Sequence, residues 1–220
     1  VFKEGLKFLG ELELQDSLGI LLICRNISFP IKCTKYTQST YYSIFGNYMN
    51  EINFFNFSLE SLKLFLNKNL EIEEKKVSMR SKQIWQSVYK KGSFEINNLT
   101  TLPLELRNKL KNLISWQRPK IAKTQNSNDG TIKWLIKLFD GNEVECVYIP
   151  EKTRATLCIS SQVGCTLNCR FCHTGTQRLV KNLSFAEIIN QVMIAKEELN
   201  DWGEKKKITN IVLMGMGEPF

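Results

Sequence analysis

Between Arg154 and Pro219 the chain carries a local pattern that few folds can satisfy. A short apolar run, Ala155 to Ser160, reads as a buried strand. A polar loop follows, with Cys165, Cys169 and Cys172 spaced Cys-x3-Cys-x2-Cys. Ser184 then opens a helix. Its hydroxyl can cap the first turn, Glu187 at the third position completes a capping box, and Ile188, Ile189, Val192 and Ala195 form a buried stripe. A second buried strand, Ile208 to Met214, ends in Gly215-Met216-Gly217-Glu218-Pro219. Strand, loop, helix, strand is one parallel β/α unit plus the start of another. The sequence stops at Phe220, directly after a strand, so it reads as a truncated piece of a larger barrel or sheet.

Upstream, the periodicity changes. From Thr131 to Ile149 it is two: Ile132, Trp134, Ile136 and Leu138 alternate with Lys133 and Lys137, and Asp140-Gly141 is a strong hairpin signal. Val144, Cys146 and Tyr148 line one face of the return strand, Glu145, Val147 and Ile149 the other, and Pro150 ends it. From Ser58 to about Trp116 the period is helical. Ser58 caps a first helix with Leu59, Leu62, Phe65 and Leu66 on one stripe. Ser81 caps a second, with Ile84, Trp85, Val88 and Tyr89 inward and Gly92 as its stop. A third starts near Pro103 with Leu106, Leu110 and Leu113 on one face. Trp85 and Tyr89 read as core rather than as stacking platforms for bases. Residues 1 to 48 show no sustained period and open on Val1, so Met49 is taken as the true start and the stretch before it as leader or unassigned.

The expected organisation is therefore α/β: a small basic helical domain over 49–123, a β-hairpin over 124–150, and the first units of a β/α barrel over 151–220.

The net charge of +8 is concentrated. Between Ser58 and Lys123 there are 14 Lys or Arg against 6 Glu and no Asp, a polyanion-binding composition that a solvated lysine-rich face would equally produce. No run reaches the roughly 18 apolar residues of a membrane span, and no signal peptide is visible, so a cytoplasmic protein is expected. The seven cysteines are an odd number, and four of them, Cys158 to Cys172, fall within fifteen residues. That clustering argues for metal ligation and against a disulfide framework.

Three thiolates on one short loop can hold three irons of a cubane [4Fe-4S] cluster. The fourth iron, without a protein ligand, can chelate the amino and carboxylate groups of S-adenosyl-L-methionine. Phe171, beside the last cysteine, suits a wall along the cofactor's adenine. The competing reading is a structural zinc site with His173, the only histidine, as fourth ligand, although adjacent Cys172 and His173 strain chelation of one ion. Gly215, Met216, Gly217 and Glu218 sit at the carboxyl end of the next strand, where parallel β/α architectures bind ligands. Their backbone, or the Glu218 carboxylate, can take the cofactor's ammonium.

The run Tyr148-Ile-Pro-Glu-Lys-Thr-Arg-Ala-Thr-Leu-Cys158-Ile-Ser-Ser-Gln-Val-Gly-Cys165-Thr-Leu-Asn-Cys169-Arg-Phe-Cys172-His-Thr-Gly-Thr-Gln closely resembles the radical S-adenosylmethionine methyltransferases that modify carbon 2 of adenosine. Asp129-Gly-Thr-Ile-Lys-Trp134 and Asn210-Ile-Val-Leu-Met-Gly-Met-Gly-Glu-Pro219 match the same family. The resemblance runs from about Phe54 to Phe220. It implies a radical SAM (β/α)6 barrel, here partial, with the cluster on Cys165, Cys169 and Cys172. It implies 23S rRNA at the peptidyl transferase centre and a tRNA anticodon loop as substrates, a reductant such as flavodoxin or ferredoxin, and a monomer.

Two cofactor molecules would act in turn, one methylating a cysteine in the C-terminal region and the other activating that methyl group, with a protein–RNA crosslink between. Cys158 matches the second catalytic cysteine, which resolves the crosslink, and Glu145 the proposed proton acceptor. The basic helical unit matches an RNA-binding accessory domain. Cys146 has no assigned role and reads as packing. The methyl-accepting cysteine would lie beyond Phe220, and Cys24 and Cys33 do not stand in for it. The related carbon 8 methyltransferases are the second enzyme reading. Val163 and Pro219 favour carbon 2.

Overall fold

The structure is a computed structural model that describes residues 52–70, 72–167, 169–204 and 206–219. The expectations for residues 1–48, including the start at Met49 and the cysteines Cys24 and Cys33, lie outside the described residues.

A two-residue strand, β1 (Ile52–Asn53), pairs in parallel with β2 (Ile114–Ser115). Three helices lie between them: α1 (Leu59–Asn69), α2 (Glu74–Tyr89) and α3 (Leu104–Leu113). The first begins where its cap predicts. Ser58 Oγ accepts from the Ser61 amide at 3.1 Å, and Ser61 Oγ accepts from the Ser58 amide at 2.8 Å. Leu62, Phe65 and Leu66 are buried. The second corrects the sequence reading, since it starts at Glu74 and runs through Ser81. Ser81 is fully buried, and its hydroxyl donates to the Ser78 carbonyl at 3.0 Å. Val77, Ser81, Ile84 and Val88 form the buried stripe, so a residue with cap chemistry serves as a small core-facing one. Trp85 and Tyr89 pack against Phe54, and Trp116 stacks on Phe54 at 4.5 Å. On the third helix Leu106 and Leu110 are buried, whereas Leu113 is left exposed.

Five strands form one sheet in the order β3 (Lys120–Asn126), β4 (Ile132–Lys137), β5 (Glu143–Pro150), β6 (Ala155–Cys158) and β9 (Asn210–Val212). The first four are antiparallel neighbours, and β6 pairs with β9 in parallel. The predicted hairpin thus continues directly into the β/α unit. Strand β3 was not foreseen. It is an edge strand whose residues other than Ile121 are exposed, so it needs no apolar alternation. The strands expected over Ala155–Ser160 and Ile208–Met214 are real but shorter.

Helix α4 (Phe185–Glu198) covers the sheet and carries the predicted box, with Ser184 and Glu187 satisfying each other's backbone amides. Its burial is wider than one stripe. Ala186, Ile189 and Met193 join the core of the helical unit, while Val192, Ile194 and Ala195 pack on Trp134, Ile136, Val144, Cys146 and Leu157 of the sheet. A helix wedged between two cores is apolar nearly all round. Arg118 adds an ion pair to Glu197 at 2.6 Å and lies 3.6 Å over the Phe94 ring. Among the described residues, no helix is long and apolar enough to cross a membrane.

Candidate functional site

Strand pairing divides the sheet into two faces. The face toward α4 carries Trp134, Ile136, Val144, Cys146 and Leu157. The opposite face carries Lys133, Glu145, Val147 and Cys158, because Lys133 pairs with Val147 and Val147 with Cys158. Glu145 forms an ion pair with Lys133 at 3.0 Å, and both side chains are partly exposed. Cys158 ends β6 beside Val212 of β9. Both candidate catalytic residues therefore share the face opposite α4.

Beyond Cys158 the chain crosses to β7 (Gln162–Val163), which pairs with β8 (Lys181–Asn182) and closes the base of the cysteine loop. Two glycines make that loop possible. Gly164 has φ 76°, and a Cβ there would run into the Arg178 carbonyl oxygen. A Cβ on Gly175 would stand 2.6 Å from the Cys169 carbonyl oxygen. The Cys165 amide donates to the Gln177 carbonyl at 3.4 Å, and the Cys172 amide to the Cys169 carbonyl at 3.2 Å.

Cys165, Cys169 and Cys172 are free and only partly covered. The Gly175 amide beside Cys172 holds that thiol below its ordinary value, and Thr174 adds to the effect. Among the described residues no three His, Cys, Asp or Glu side chains are gathered into a metal-holding group, these three cysteines included. The donor set nevertheless suits a cluster: three soft, free thiols on one tightly folded loop at the carboxyl end of a parallel strand pair. Phe171, next to Cys172 on the same loop, is 94% exposed.

The Gly215–Glu218 turn lies against Ile159–Gln162, the segment that leads into this loop. The Gly215 amide donates to the Ile159 carbonyl at 3.0 Å, and a Cβ on Gly215 would stand 2.7 Å from Ser160 Oγ. Gly217 has φ 94° and sits on the Gln162 side chain. The Met216 carbonyl accepts from the amides of Ser161 and Gln162, at 2.9 and 3.2 Å.

Three polar residues that the sequence did not flag hold the arrangement. Ser160 Oγ accepts from the Met216 amide at 2.9 Å and donates to the Glu145 carbonyl at 2.6 Å, tying the turn to β5. Gln191, fully buried on α4, accepts from the Ser160 amide at 2.8 Å and donates to its carbonyl at 2.9 Å. Gln162 reaches both loops. The available signal was polarity out of place: Ser160 and Gln162 follow an apolar strand, and Gln191 interrupts a buried stripe.

The thiols differ in kind. Burial pushes Cys158 above its usual value, opposed by the Met214 backbone amide. Burial raises fully enclosed Cys146 as well, with nearby Cys158 adding to it. Because the thiolate is the nucleophile, iodoacetamide should alkylate these three thiols of the metal-free folded chain in the order Cys172, Cys158, Cys146. Cys172 should keep reacting as pH falls below the ordinary thiol range. Peptide mass spectrometry across a pH series reads this order, and early labelling of Cys146 would contradict the buried packing.

No protein-family model matches the chain. A curated relative named dual-specificity RNA methyltransferase RlmN, from Bradyrhizobium sp. (strain ORS 278), is 48% identical over 164 residues, covering 69% of this chain and 41% of the relative. The namesake from Rhodopseudomonas palustris (strain BisB5) is 52% identical over 154 residues, covering 64% of this chain and 39% of the relative. The solved structure of a radical SAM methyltransferase from Sphaerobacter thermophilus is similar with a TM-score of 0.67 and 32% identity, covering 77% of this chain and 48% of that one.

Sheet, cysteine loop and glycine turn together define part of a radical SAM methyltransferase fold. Within that class the chain belongs to the RlmN type. It spans about two fifths of the length of the curated relatives it matches.

Proposed function

We propose that the protein of which this chain is a part methylates carbon 2 of adenosine in 23S rRNA and in a tRNA anticodon loop. One observation carries the reading: the three-cysteine loop and the Gly215–Glu218 turn meet at the carboxyl end of the parallel β6–β9 pair. Cys165, Cys169 and Cys172 would hold a [4Fe-4S] cluster, and the Gly215–Glu218 backbone with the Glu218 carboxylate would take the amino group of S-adenosyl-L-methionine. When bound, cluster and cofactor supply one-electron cleavage of a carbon–sulfur bond, and so the power to abstract a hydrogen atom.

The chain's own residues supply the rest. Glu145 would accept the proton leaving carbon 2, and its partner Lys133 orients the carboxylate. Cys158, on the same face, would cleave the covalent link between protein and RNA. The basic helices over 58–123 favour the polyanionic substrate by charge. A flavodoxin or ferredoxin would deliver the electron, and a reducing cytoplasm suits free thiols.

The test is mass spectrometry of adenosines from 23S rRNA and tRNA after anaerobic incubation of the cluster-loaded whole protein with S-adenosylmethionine and a reductant. 2-Methyladenosine supports the reading. 8-Methyladenosine would move the protein to the carbon 8 branch, and no methylated adenosine from iron-replete protein would sink both. In the whole protein, Cys158→Ala should retain the cluster yet leave RNA covalently attached. A shifted, nuclease-sensitive band on a denaturing gel reads this, and normal turnover by the variant would remove Cys158 from the mechanism.

A further inference from the structure

We infer that Gln162 is a positioning residue that sets the distance between the cysteine loop and the Gly215–Glu218 turn, so that both are presented to one cofactor. For the cofactor itself this rests on the function proposed above. The geometric claim does not.

Gln162 is only 5% exposed, yet its side chain uses both ends. Its Oε1 accepts from the Thr166 amide at 3.3 Å, one residue past Cys165, and from the Glu218 amide at 3.1 Å. A single carbonyl oxygen thereby ties two backbone segments that are 52 positions apart in the chain. The other end is anchored: Nε2 donates to Asn182 Oδ1 at 2.8 Å, directly across the β7–β8 pair. The aliphatic part of the side chain fills the space left by Gly217, whose φ of 94° excludes most other residues. The Gln162 amide completes the set by donating to the Met216 carbonyl.

A purely structural glutamine would need only to satisfy its own amide. This one is the acceptor for an amide in each of the two loops that would bracket the cofactor. Loss of that oxygen would release both together, whereas loss of the Asn182 brace would loosen both to a lesser degree.

Amide hydrogen exchange on the metal-free chain tests this without any cofactor. In Gln162→Leu, the peptides over 163–172 and 214–219 should both exchange at least about tenfold faster, because two protecting hydrogen bonds open at once. In Gln162→Glu, which keeps the accepting oxygen but gives up the donation to Asn182, both should exchange faster than in the parent and clearly slower than in Gln162→Leu. Asn182→Ala alters an exposed residue, and so avoids the risk that the leucine variant fails to fold. It should speed both peptides together, by less. If either peptide moves alone, or neither moves in Asn182→Ala, the coupling is wrong.

A second readout addresses the cofactor. After reconstitution with iron and sulfide, Gln162→Leu should hold iron as the parent does but bind S-adenosylmethionine about tenfold more weakly, about 1.4 kcal/mol, with Gln162→Glu falling between the two. Unchanged affinity would overturn the positioning role. A parent chain that takes up no iron would instead count against the proposed function and leave the exchange result standing.

Discussion

Replacing Cys169 with Ala is expected to abolish retention of a cubane cluster after anaerobic reconstitution, and Cys165→Ala and Cys172→Ala should do the same. The loop offers three thiols and no fourth cysteine, and His173 beside Cys172 is exposed. Removing one ligand leaves two iron contacts on a loop whose shape depends on its own backbone, through Gly164 against Arg178 and Gly175 against Cys169. Iron and sulfide content per chain, with the absorption spectrum, checks this. Cys146→Ala is the control: that thiol faces α4 from the other side of the sheet, 3.9 Å from the Gln191 carbonyl, and its loss should leave iron content unchanged. Full iron content in any of the three loop variants would break the ligand assignment. Stoichiometric zinc in native protein, with no iron, would reopen the structural-metal reading.

The second large effect is expected far from any candidate ligand. Gln191→Leu should destabilise the fold by about 2–6 kcal/mol, because the Ser160 amide and carbonyl would both lose their buried partner at about 1–3 kcal/mol each. Leucine is close in volume and apolar, so the loss is one of hydrogen bonding rather than of packing. For a chain of this size that corresponds to a fall in Tm of roughly 5–20 °C. Thermal unfolding followed by circular dichroism measures it. An unchanged Tm would mean that water replaces the amide and that α4 is held by its apolar contacts alone. The same change should loosen the Met216 amide, which Ser160 Oγ accepts, so a lower Tm with a rigid Gly215–Glu218 turn would contradict the connection drawn here.

These two cases separate what was readable from what was not. The cap at Ser58, the box at Ser184 and Glu187, the hairpin turn at Asp140-Gly141 and the strand–loop–helix–strand order were legible, because each depends on residues within a few positions of one another. The misread start of α2 has the same origin in reverse. Ser81 has the chemistry of a cap, and only packing decides that it is a small residue on a buried stripe. Strand β3 was invisible because an exposed edge strand gains its partners through backbone hydrogen bonds, which leave no apolar signature.

By itself, then, the sequence determined the donor set: three thiols at ligand spacing, two glycines in a turn, and the β/α order that carries them to one end of a sheet. Ligand spacing, capping and period are local, and local patterns survive without coordinates. Only the tertiary structure decided which residues hold those parts together. Ser160 meets Met216, and Gln162 meets Glu218, across 56 positions. Gln191 reaches Ser160 from a different element. Contacts of that kind exist only once strand pairing and the burial of α4 between two cores have brought distant segments to hydrogen-bonding distance.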